Sequence, residues 1–162
     1  MPSAHDVIVV GARAAGAATA MLLARQGLRV LVVDRDRYGT DTLSTHALMR
    51  GGVLLLSRWG VLEPVLKAGT PPVRQTRFDY GDDRVRVGIK PSPGVPALYA
   101  PRRTVLDRLL VDAARAAGAQ IRYGVTVAGL LRGGSGRVVG VHGRDRAGGL
   151  SEGLCNCPNW TS

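Results

Sequence analysis

The stretch Val7–Asp34, VIVVGARAAGAATAMLLARQGLRVLVVD, constrains the fold of this chain more than any other. A β-branched run from Asp6 to Val10 ends in glycine, the pattern of a fully buried strand. Alanines and leucines then run from Ala14 to Arg25 and stop at Gly27, as a helix does at its terminating glycine. Leu28 to Asp34 forms a second apolar run. Strand, helix and strand within about thirty residues make one βαβ unit, with a parallel strand pair and a right-handed crossover.

The turn that opens the helix reads Gly11-Ala12-Arg13-Ala14-Ala15-Gly16. In a dinucleotide-binding βαβ unit the first glycine makes the tight turn. The second lets the backbone approach the pyrophosphate, and the third lets helix and strand pack closely. Gly11 and Gly16 fill the first and third places, and Arg13 stands in the second. The unpaired N–H groups and positive dipole end of the helix suit a pyrophosphate. Asp34 closes the second strand at the distance where an acid accepts hydrogen bonds from a ribose hydroxyl. An ordinary βαβ unit whose glycines serve packing alone is the competing reading. The context favours a nucleotide: the turn follows a strand, opens a helix and is answered by an acid. Arg13 is expected to reach the pyrophosphate with its guanidinium. Arg35 would suit a 2′-phosphate, but Asp34 just before it would repel that group.

Beyond Asp34 the pattern loosens. Residues 35–48, RDRYGTDTLSTHAL, are polar and turn-rich and read as a loop. A helix is expected from about Leu48, broken near Gly60 and resumed from Leu62 to Lys67. Residues 76–90 read as a hairpin turning at Gly81-Asp82-Asp83. The clearest helix lies in PRRTVLDRLLVDAARAAGA, with Val105, Leu109, Leu110 and Ala113 on one face and Gly118 at its end. QIRYGVTVAGLL and GRVVGVHGRDR then read as two strands joined through Gly133-Gly134-Ser135-Gly136.

At 162 residues the chain can bury one hydrophobic core, and its 45% hydrophobic content fits a globular domain. The net charge of +10 raises the question of nucleic acid. The arginines are scattered along the whole chain, however, and one Phe and four Tyr offer few stacking platforms. A solvated, arginine-biased surface is the expectation, with no nucleic-acid partner. The apolar run Val7–Val10 is too short for a membrane span, and Asp6 precedes it where a signal peptide carries positive charge. A cytoplasmic location is expected. The only cysteines, Cys155 and Cys157, offer two ligands where a structural zinc site takes four, so no metal site is expected.

Three motifs in order, DVIVVGARAAGAATAMLLARQGLRVLVVDRD, then STHAL with the following GG and WGVLE, then PRRTVLDRLLVDAARAAGA, resemble the N-terminal part of FAD-dependent oxidoreductases. The group is the one containing p-hydroxybenzoate hydroxylase-like monooxygenases, geranylgeranyl reductases and flavin-dependent halogenases. The resemblance covers roughly residues 5–150. It implies FAD as cofactor, with NAD(P)H as the transient electron donor in complete relatives. It places the ribose-holding acid on Asp34 and a flavin-contacting arginine on Arg103, followed by Leu106 and Asp107. It also makes Ser44, Thr45 and His46, in the segment passing beside the cofactor, candidates. Read without the resemblance, Arg103 is a solvated first-turn arginine, His46 a loop histidine, and Ser44 or Thr45 a helix N-cap.

The expected fold is α/β: a Rossmann-like FAD-binding βαβ domain with inserted β-hairpins, incomplete at its C-terminus relative to the family pattern. Residues 1–150 would form this partial domain and 151–162 an atypical, disordered tail, since Asn and Cys occur only there. The candidate cofactor-binding set is Gly11, Ala12, Arg13, Ala14, Ala15, Gly16, Asp34, Arg35, Ser44, Thr45, His46 and Arg103. No residue stands out as general acid, base or nucleophile, and the sequence names no substrate or oligomeric state. The alternative to an oxidoreductase portion is a non-catalytic nucleotide-binding module or a non-functional fragment.

Overall fold

A computed structural model describes residues 5–42 and 47–154. Strand β1 (Val7–Val10), helix α1 (Ala14–Arg25) and strand β2 (Val30–Asp34) form the βαβ unit, with β1 and β2 parallel and Val7 opposite Val30. The chain divides into two compact units, residues 1–40 with 110–162 and residues 41–109.

In the first unit β2 is the middle strand of a three-stranded parallel sheet in the order β1-β2-β7, where β7 is Gln120–Tyr123. All five residues of β2 are buried, as a strand flanked on both sides requires. The expectation that β1 is equally buried does not hold. It lies at the sheet's end, its residues are half-buried, and Val10 is 60% exposed. Helix α1 packs on β1 and β2 through Ala17, Ala18, Ala20, Met21 and Ala24. Small side chains along that face let the helix lie close to the sheet. Asp6 ties the two strands at their start: its carboxylate accepts the Arg29 backbone N–H at 2.8 Å and the Arg29 guanidinium at 2.6 Å. Those hydrogen bonds hold the Asp6 carboxyl down to about 2.

The segment expected to be one strand from Gln120 onward is two. It ends as β7 at Tyr123 and restarts as β8 (Thr126–Arg132) in a second, antiparallel sheet with β9 (Val138–Arg144) and β10 (Leu150–Leu154). At the break, the Gly124 and Val125 N–H groups donate to the carbonyls of Asp36 and Asp34, so the ladder gives way to contacts with the end of β2. Strand β10 also crosses the boundary expected at residues 150 and 151. The turn Asp145–Gly149, closed by Asp145 accepting the Ala147 and Gly149 N–H groups, returns the chain along β9 as far as Leu154. Cys155, Cys157 and the rest of the expected tail lie outside the described residues.

The second unit holds α2 (Arg50–Trp59), α3 (Leu62–Lys67), the short pair β3 (Pro72–Val73) and β6 (Leu98–Tyr99), and the hairpin β4 (Gln75–Tyr80) with β5 (Asp83–Gly88). Val53, Leu56, Val65, Leu98 and Tyr99 are buried there. The division between units falls within α4 (Arg103–Ala116). Its buried stripe is Leu106, Leu110, Val111 and Ala114, rather than the expected Val105, Leu109 and Ala113. Adjacent apolar pairs at 105–106, 109–110 and 113–114 satisfy either phase of a 3.6-residue period. The buried, charge-paired Asp107 belongs to the observed phase.

Candidate functional site

The sequence places the phosphate turn where β1 ends, and the backbone shows why its two glycines are there. Gly11 has φ +101, a conformation that side chains resist. At Gly16 a Cβ would run into the Gly11 carbonyl oxygen and crowd Val9, so close helix–strand contact excludes any side chain. Arg13 needs no such freedom. Its φ of −81 and ψ of −176 are extended backbone open to any residue. It serves as N-cap of α1 without a side-chain capping bond, and no acid lies in the helix's first turn. The first-turn N–H groups of Ala14, Ala15 and Gly16 therefore present a positive helix end with no carboxylate of that turn against it.

Asp34, the last residue of β2, is brought directly to this turn. One carboxylate oxygen accepts the Ala12 N–H at 2.6 Å in a buried bond, and the other accepts the Asp36 N–H at 2.7 Å. Each oxygen has a second lone pair to offer. The Arg13 side chain turns to the loop after β2, donating from Nη1 to the Thr40 carbonyl at 2.6 Å and from Nη2 to Asp36 at 3.0 Å. Arg35 is exposed, and its carbonyl accepts Arg146 at 3.4 Å.

A cluster of aromatic and charged groups that the sequence reading missed stands beside Asp34. Tyr123 pairs with Asp34 across β2 and β7. Its ring meets Tyr38 edge-on, with centroids 6.1 Å apart, and the Arg115 guanidinium lies 4.9 Å from the Tyr38 centroid and 5.8 Å from that of Tyr123. The Tyr38 hydroxyl donates to Asp112 at 2.7 Å. Burial raises the Tyr123 hydroxyl's pKa above the usual tyrosine value, against the opposing charge of Arg115. No motif spacing signals this cluster, because its members come from a loop, a helix and a strand.

In the second unit Arg103 opens α4 and grips Asp107 one turn on, with Nε and Nη2 each 3.0 Å from a carboxylate oxygen. The pair is mostly shielded, with side-chain exposures of 18% and 7%. This is the physical content of the Arg-x-x-Leu-Asp spacing: an i, i+4 acid fixes the guanidinium plane. Ser44, Thr45 and His46 lie outside the described residues. Among the described residues no group of three or more His, Cys, Asp or Glu side chains could hold a metal.

The model of the FAD-binding domain family matches residues 4–149. The chain belongs to that family. This FAD-binding domain is 33% identical over 152 residues to the protein FixC of Azorhizobium caulinodans, covering 89% of this chain and 34% of that protein. It is 34% identical over 149 residues to the probable electron transfer flavoprotein-quinone oxidoreductase YdiS of Escherichia coli, with coverages of 86% and 33%. Among solved structures, the myxobacterial chondrochloren halogenase CndH, an FAD-dependent halogenase, superposes with a TM-score of 0.81 at 25% identity. That match covers 95% of this chain and 36% of the halogenase chain. The chain thus spans about a third of the length of the curated relatives it matches. The cofactor of the domain is FAD, and the uncapped, acid-free start of α1 with Asp34 beside it fits the ADP half of that molecule. The expected resemblance to FAD-dependent oxidoreductases holds, as does the α/β class.

Proposed function

We propose that this chain holds the ADP half of FAD on the Gly11–Gly16 turn and Asp34, as the flavin-binding portion of an NAD(P)H-driven oxidoreductase or monooxygenase. The observation that carries the reading is the buried bond from the Ala12 N–H to Asp34, which sets an acid for a ribose beside a helix start for a pyrophosphate. Ala14 and Ala15 supply backbone N–H groups there, Ala12 spends its own on Asp34, and Arg35 belongs to the proposed set as the exposed residue after that acid. Bound FAD supplies the electron and oxygen chemistry, and the protein supplies binding and orientation. Arg103, its plane fixed by Asp107, offers the Nη1 side of its fork to a further acceptor, and Ser44, Thr45 and His46 complete the proposed set. The partner is a small molecule rather than nucleic acid. Arg13, Arg29, Arg84, Arg103 and Arg115 are each paired with an acid, which divides the positive charge.

The test is flavin uptake. The purified 162-residue chain, mixed with FAD and desalted, should retain yellow absorbance near the flavin bands and quench flavin fluorescence. Asp34→Ala should lose at least about tenfold in affinity, the scale of a lost charge-assisted hydrogen bond. A colourless wild-type chain would sink the reading. Flavin retained without NAD(P)H oxidation would assign this chain binding alone.

A further inference from the structure

Arg13 occupies the place where the glycine pattern has its middle glycine, and its backbone does not require one. What its side chain does is visible at the other end. The guanidinium spans two acceptors in different directions, the Thr40 carbonyl at 2.6 Å and Asp36 at 3.0 Å. Both belong to the loop that leaves β2 just past Asp34. That loop is internally closed, because Thr40 donates its N–H and hydroxyl to the Arg37 carbonyl and accepts the Arg37 N–H on Oγ1. It is held from two further sides, by the Gly124 N–H on the Asp36 carbonyl and by the Tyr38 hydroxyl on Asp112.

We propose that Arg13 is a positioning residue, which ties the pyrophosphate turn to the ribose-side loop so that the two halves of the nucleotide site hold one spacing. The inference rests on the reading of this turn and Asp34 as the ADP site. Ala12 already bonds the turn to Asp34 through the backbone, and Arg13 adds a second tie one residue on, to Asp36 two residues beyond Asp34. Two ties along different lines fix orientation as well as distance. A planar fork suits the task, since it donates along two directions at once, whereas an ammonium offers a single point. Arg13 then acts through the loop, and its carboxylate partner is part of the device.

The sign of the Asp36 effect separates this from direct contact with the pyrophosphate. As a tie, Arg13 and Asp36 work as a unit. Arg13→Gln and Asp36→Asn should each weaken FAD about three- to tenfold, and the double variant should be no weaker than the worse single. Arg13→Lys should recover part of the loss. If Arg13 instead grips the pyrophosphate, Asp36 competes for it, and Asp36→Asn will leave FAD affinity unchanged or tighten it. That result overturns the proposal. The same four-variant cycle is read by thermal melting without cofactor. A coupling between Arg13 and Asp36 there supports the tie, and additive single effects overturn it. A wild-type chain that takes up no FAD but shows the coupling keeps the tie and removes the flavin reading.

Discussion

The Asp34 carboxylate accepts the Ala12 N–H at 2.6 Å, and both residues are buried. The acid is therefore a structural brace for the Gly11–Gly16 turn in its own right. Asp34→Ala strands two backbone donors, those of Ala12 and Asp36. It should cost about 1–3 kcal/mol for the buried one alone, read as a lower midpoint in urea unfolding. Asp34→Asn keeps one acceptor but turns its amide toward the second donor, so it should fall between alanine and wild type.

Gly16 should be the least tolerant position of the turn. A methyl there meets the Gly11 carbonyl and Val9, and the nearest atom is backbone that cannot swing away. Gly16→Ala should lose more than about 3 kcal/mol by chemical unfolding, in the range set by forced overpacking and strain. Gly51, in the first turn of α2 with open space around it, should accept alanine with no loss beyond about 0.5 kcal/mol.

The Arg103–Asp107 pair makes a third prediction. Asp107 is 5% exposed, so Arg103→Met leaves a shielded carboxylate with fewer donors and should destabilise by about 1–3 kcal/mol. Combining it with Asp107→Leu removes both charges and should recover most of that loss. Recovery in thermal melts would show that the loss in the single variant comes from the carboxylate left without its partner.

Asp6 gives the pH prediction. Its carboxyl is held at about 2, below the ordinary 3.8, mainly by its hydrogen bonds from Arg29. A depressed folded-state value contributes stability that is present above pH 3.8 and lost as pH falls through about 2. The melting temperatures of wild type and Asp6→Asn should differ at pH 6 and converge between pH 4 and 2. The pair is solvent-facing, so added salt should shrink the difference at every pH.

The parts legible in the sequence are those where a local pattern has one structural solution. The glycines at 11, 16 and 27 answer demands of backbone geometry, and the acid at 34 stands at a spacing that the βαβ pattern sets. The loop ties were not legible. Nothing in the spacing of Asp36, Thr40, Tyr38 and Asp112 says that they converge, since contacts between a loop and distant elements carry no period. The phase of α4 was missed for a different reason: two apolar stripes lie side by side, and a buried charge pair belongs to the observed one. The break at Gly124 was missed because β-branched residues on both sides suit a strand, whichever sheet they join.

Gly11 and Gly16 are constrained in different ways. One position is fixed by its dihedral angle and the other by an atomic collision, while position 13 obeys neither constraint. The chain's own backbone therefore constrains the first and third places of the turn, and what occupies the middle place is decided by the groups its side chain meets, here Thr40 and Asp36.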